Sequence, residues 1–263
     1  MQSYQSLHFI VQSKNYDRSG KTAESCEEVY KKIMFDTNLL SFKPRENYRV
    51  VIYENQREYS QMTGYPLWSG GGAVTTPLGL VLPDEREIKA RTAIDTFDPA
   101  ASLPLFAHEI THLVFNEFMD TFSPDDFDKA RWLNEGLATY EEMQFYPEFD
   151  RGELLRLTRP LVRQNAFPIR SAVEFKPFHE PVRSVGSYIF RGETRYFTNI
   201  DIWYWQVRDL VGFLVEKRGR YNFFVLINDL KQKKGLEDAL NDAYPGDWRS
   251  LEELEREWKQ GLE

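Results

Sequence analysis

Four residues in the middle of this chain have the types and spacing that metal chemistry needs. His108 and His112 are four apart, so on a helix they stand on one face. Two neutral imidazoles so placed can share one Zn²⁺ at about 2.0–2.1 Å each. Glu109 follows the first histidine and can reach a water beside such an ion, the position of a general base. The flanking Leu103, Leu105, Phe106, Ile110, Leu113, Val114 and Phe115 would bury the helix and surround the ion with a low dielectric. The pattern alone also fits a core helix whose histidines are satisfied by hydrogen bonds.

A catalytic zinc takes three protein ligands and keeps one open position. Glu135, within Trp132-Leu133-Asn134-Glu135-Gly136-Leu137-Ala138-Thr139-Tyr140-Glu141-Glu142, offers a hard carboxylate on a second helix, with 22 residues between it and His112. Two neutral histidines and one carboxylate would leave a centre of about +1 charge, enough to acidify water. Gly136 and Ala138 are small enough for close packing of that helix. Residues 117–131 are acidic and contain Pro124, which reads as an exposed connection. Glu135 could also be an ordinary exposed helical glutamate.

Together the two stretches resemble the gluzincin metallopeptidases, in particular the peptidase MA-like branch related to zinc aminopeptidases. The resemblance rests on His108-Glu109-x-x-His112 and on Asn134-Glu135-Gly136 with its neighbours, about forty residues in all. It implies zinc bound by His108, His112 and Glu135, with Glu109 as catalytic base. It further implies a zincin-like metalloprotease fold of the α+β class, with a strand-rich segment before the zinc helix and a helical segment after it. The activity implied is peptide-bond hydrolysis. Tyr204, in Trp203-Tyr204-Trp205-Gln206, resembles the family's oxyanion donor, with Tyr188 and Tyr196 as alternatives. Related aminopeptidases carry Gly-x-Met-x-Asn and a glutamate for the substrate's amine, where this chain has Gly72-Ala73-Val74-Thr75-Thr76. That departure favours an endopeptidase. The alternative is a catalytically silent, zinc-containing peptide-binding module on a protease fold; a metal-free structural protein is the third possibility. Zinc-bound histidines usually pass their second N–H to a carboxylate or carbonyl, and Glu142 is the candidate here.

The elements that must position these groups follow from pattern. The 263 residues suffice for one metallopeptidase domain, 1–263, with a strand-rich lobe to 118 carrying the zinc helix and a mainly helical lobe from 119. Residues 7–11 and 48–53 read as strands, and 22–36 and 55–62 as helices. Gly70-Gly71-Gly72 marks a flexible loop or a close backbone approach. Residues 78–82, bounded by prolines, read as an edge strand; the resemblance implies that it can pair with an extended peptide, and an ordinary loop and edge strand without a ligand is the equal alternative. Residues 84–98 read as a charged surface connection. Ser102 as N-cap and Pro104 in the first turn start the zinc helix, which runs to about Phe118.

Beyond the second motif, 151–162 reads as a helix broken at Pro160, and 167–199 as loops with short strands. Residues 200–219 return to helical spacing, with Ile202, Trp205, Leu210, Val211 and Leu214 inward and Gly219 as C-cap. Helices are expected over 221–230 and 236–243, and a capping box at Ser250-Leu251-Glu252-Glu253 opens the last one. Residues 151–200 carry nine basic against four acidic side chains, whereas 101–150 carry two against eleven. A basic rim facing an acidic zinc lobe is the expectation. His8 and His179 are read as structural.

Composition sets outer bounds. A net charge of −8 speaks against a general nucleic-acid-binding surface. Cys26 is the only cysteine, so neither an intrachain disulfide nor a thiolate zinc site can form. No apolar run approaches the ~20 residues of a membrane span. No signal peptide is read in this chain, which makes the cytoplasm the default; removal of an export signal or anchor leaves the compartment open. The partner implied is a peptide or protein substrate, and no oligomeric state is implied.

Overall fold

The computed structural model describes residues 1–67, 69–76, 80–81, 87–88, 91–97, 101–120, 124–177 and 179–262. The chain divides into two compact units, one of Met1–Phe35 and Leu39–Phe122, the other of Asp36–Asn38 and Ser123–Glu263. The architecture is α+β: a mixed five-stranded sheet with helices in the N-terminal part, and a mostly helical C-terminal region.

The first unit opens with β1 (Gln2–Gln5), β2 (Phe9–Ser13) and α1 (Tyr16–Asp36), then β3 (Tyr48–Tyr53) and α2 (Gln56–Thr63). It continues with β4 (Gly71–Thr76), the short β5 (Leu80–Val81) and β6 (Glu87–Ile88), β7 (Arg91–Phe97) and α3 (Leu103–Met119). The sheet order is β1-β2-β3-β7-β4. β2, β3 and β7 run parallel, and β1 and β4 flank them antiparallel. Parallel neighbours cannot be joined by a tight hairpin, which is why α1 lies between β2 and β3 in the chain. In β3, Tyr48, Val50, Val51, Ile52 and Tyr53 are all buried, the two-sided burial expected of a parallel strand inside a sheet.

One expectation fails here, and of two alternatives at the glycine run one is favoured. Residues 91–97 form an inner strand of the sheet, where charge and polarity suggested a surface connection; the rest of 84–98, apart from Glu87–Ile88, lies outside the described residues. Asp95 and Thr96 disguise the strand: both are buried, but Tyr53 Oη donates to Asp95 at 3.4 Å and Thr96 Oγ1 to the Gly70 carbonyl at 2.8 Å. The glycine run is likewise strand: Gly71 and Gly72 open β4 and pair with Thr96 and Asp95. A Cβ on Gly72 would stand 2.8 Å from the Tyr65 ring, so close approach, not flexibility, explains the residue. Of the expected strand 78–82, only Leu80–Val81 falls among the described residues, as β5 paired with β6.

The second unit contains α4 (Pro124–Gln144), α5 (Glu148–Asn165), α6 (Ile169–Glu174), the hairpin β8 (Ser184–Phe190) and β9 (Glu193–Thr198), α7 (Asn199–Lys217), α8 (Arg220–Lys231), α9 (Leu236–Ala243) and α10 (Leu251–Gln260). The expected connection over 117–131 is mostly helix: α3 runs to Met119 and α4 begins at Pro124, where the fixed φ of proline suits a first turn. α5 continues through Pro160. Both Pro160 and Arg156, whose carbonyl loses its partner there, are exposed, so solvent can satisfy the freed group.

On α7 the expected inward residues Ile202, Leu210, Val211 and Leu214 are buried, and Trp205 departs from the expectation. Trp203 is fully buried and donates its indole N–H to the Ala172 carbonyl at 2.8 Å; Trp205 is only half-buried, its ring tilted against Phe197 of the hairpin. Gly219, at φ 85°, precedes α8 as its N-cap, and Arg218 closes α7. The reciprocal capping box lies at Thr198 and Asp201. At Ser250 only half of it forms: Ser250 accepts the Glu253 N–H, while the Glu253 carboxylate takes the Arg249 N–H.

Candidate metal centre

α3 is built to be buried. Phe106, Ile110, Leu113, Val114 and Phe115 are 3 % exposed or less; Ser102 is the N-cap, in extended conformation and without a side-chain capping bond, and Pro104 lies in the first turn. On this apolar rod His108 and His112 are half-buried, their rings edge to face with centroids 4.7 Å apart and planes at 83°. One helical turn separates them, so helix geometry alone sets this spacing.

Glu109 is 7 % exposed. Among the described residues no hydrogen bond or ion pair fixes its carboxylate, although its charge is felt nearby. The Tyr59 phenol is raised above its ordinary value, chiefly by burial, with Glu109 and Asp95 adding to the rise and the Ser69 hydroxyl opposing it. Tyr59 and Ser69 are hydrogen-bonded at 2.9 Å, and Ser69 Oγ lies 2.9 Å from the Gly71 carbonyl. Asp95 and Tyr59 therefore share the buried polar surroundings of Glu109. Sequence reasoning missed both, because Asp95 lies in the unrecognised β7.

In the second unit α4 carries Glu135, 7 % exposed, next to Asn134 at 2 %. Gly136 makes this possible by letting α4 rest on α7. A Cβ there would lie 2.6 Å from the Val207 carbonyl oxygen, closer than carbon and oxygen can come. Thr139 Oγ1 donates to the Glu135 carbonyl at 2.7 Å, an internal bond of the same helix.

His108, His112 and Glu135 form a group that could hold a metal ion, each offering one ligand atom within 4.8 Å of the others. Tetrahedral zinc with bonds of about 2.0–2.1 Å would set its ligand atoms about 3.3 Å apart, a gap that side-chain rotation can close. Two imidazoles and one carboxylate are also a donor set that zinc accepts. The group fits the ion.

The remaining site candidates lie in the second unit. Tyr204, half-buried on α7, sets its ring edge-on to Trp203 at 5.0 Å and stands one turn before Val207, the residue under Gly136. Tyr188 packs on Trp205 at 5.8 Å, and Tyr196 is 79 % exposed. Glu142 is half-buried and accepts the Tyr146 hydroxyl at 3.1 Å. Its neighbour Glu141, fully buried, is the carboxylate that the α4 periodicity turns inward, four residues after Leu137 and seven after Asn134.

Other histidines and the basic stretch serve elsewhere. His8 stacks on Tyr30 at 4.3 Å, with Nδ1 2.7 Å from Glu27. Much of the basic stretch is paired within its own unit: Arg170 with Glu237, Lys176 with Asp128, Arg191 with Asp150 and Arg195 with Glu193. None of the described helices is long and apolar enough to cross a membrane. No protein-family model matches this chain, and no curated protein matches it.

Proposed function

We propose that this chain is a zinc-dependent metallopeptidase with a zincin-like fold of the gluzincin type, cutting within peptide or protein substrates. The observation that carries the reading is the His108–His112–Glu135 group together with Glu109, a buried carboxylate one residue from the first ligand. His108, His112 and Glu135 would hold the ion. The chemistry zinc supplies in such a site is Lewis acidity, which acidifies water and polarises a peptide carbonyl.

This chain's own residues do the rest. Glu109 takes a proton from the attacking water as the new C–O bond forms, and returns it to the leaving amine as the C–N bond breaks. A fixed partner would compete for the same oxygen atoms, and among the described residues none holds them. Tyr204 is assigned to donate its hydroxyl to the oxygen on which charge develops. Residues 72–76 offer no carboxylate for a substrate amine, which supports internal cleavage over aminopeptidase action.

The test is cleavage of a diverse peptide library by the zinc-loaded protein, read by mass spectrometry beside Glu109→Gln. Internal cuts made by the parent and lost in the variant, at equal zinc content and equal helicity, are the expected result. Equal cleavage by both proteins would overturn the assignment of Glu109. Stoichiometric zinc without any cleavage would instead favour the peptide-binding module.

A further inference from the structure

We draw no further inference here: the strongest candidate, the exposed face of the β8–β9 hairpin with Ile189 and Tyr196 at 66 and 79 % exposed, carries none, because Arg191 and Arg195 beside it are already paired with Asp150 and Glu193 and nothing in the structure shows what covers it.

Discussion

The middle and the end of α3 carry the same residue type to opposite ends. Glu109 and Glu117 are two turns apart, 7 % and 9 % exposed. Glu117 is fastened: the Tyr48 hydroxyl donates to it at 2.8 Å and the Arg45 backbone N–H at 2.6 Å. Burial first, and then the Glu117 charge and bond, push the Tyr48 phenol far above its usual value, so it remains a donor throughout the ordinary pH range. Glu109 has no such fastening among the described residues. A buried carboxylate that is fully bonded holds a structure together; one left unbonded costs stability, and under the proposed function Glu109 is kept for chemistry.

Exchanging the two roles by mutation is the sharpest way to break this contrast. Glu109→Gln is expected to reduce peptide hydrolysis by at least about a hundredfold, the lower end for loss of a general base, with little change in the denaturation midpoint. Glu117→Ala should do the reverse. It orphans the Tyr48 hydroxyl and the Arg45 N–H, at a cost of about 2–4 kcal/mol in urea unfolding, while zinc stoichiometry at saturation is retained. If Glu117→Ala abolished cleavage in protein that is still folded, the division of labour along α3 would be wrong.

A smaller effect is expected at Gly136→Ala. The added methyl must displace the Val207 carbonyl or the helix that carries Glu135, at about 1–3 kcal/mol. Weakened zinc affinity measured by competition with a chelator would accompany the stability loss, because the ligand moves with its helix. Stability lost at unchanged affinity would separate Glu135 from the metal.

The smallest effect belongs to a third carboxylate of the first unit, Glu27. Burial alone would raise its pKa, but bonds from the His8 ring, the Ser6 hydroxyl and the His8 N–H outweigh it and hold the carboxyl below the usual range. A depressed folded-state pKa stabilises above the unfolded value of about 4.3 and is lost as pH falls through the folded one. Glu27→Gln should therefore lose less stability than the parent on acidification below about pH 4.3, by well under 1 kcal/mol for so solvent-accessible a group. Parallel acid-denaturation curves would remove Glu27 from the account.

What sequence could reveal depended on whether a residue's surroundings were local. The start of α3 was legible, because N-cap and first-turn preferences at Ser102 and Pro104 are local. The His108–His112 pair was legible because one turn of helix fixes it. β7 was hidden, since Asp95 and Thr96 look solvent-exposed until Tyr53 and the Gly70 carbonyl arrive from elsewhere in the chain. At Gly72 the sequence left open a flexible loop or a close backbone approach, because the Tyr65 ring that crowds it cannot be seen in one dimension. On α7 the choice between Trp203 and Trp205 turned on which neighbour each meets, the Ala172 carbonyl or the hairpin.

The Tyr48–Glu117 bond joins positions 69 residues apart, whereas the two histidines are joined by a single turn. Closing so long a loop costs entropy that local helix formation does not, so the tether belongs late in assembly. During refolding, α3 can therefore wind, and set its imidazoles in register, before β3 exists to hold it. Amide protection should arise in α3 ahead of β3, which makes the helix bearing the two candidate ligands a starting point for the folding of the first unit.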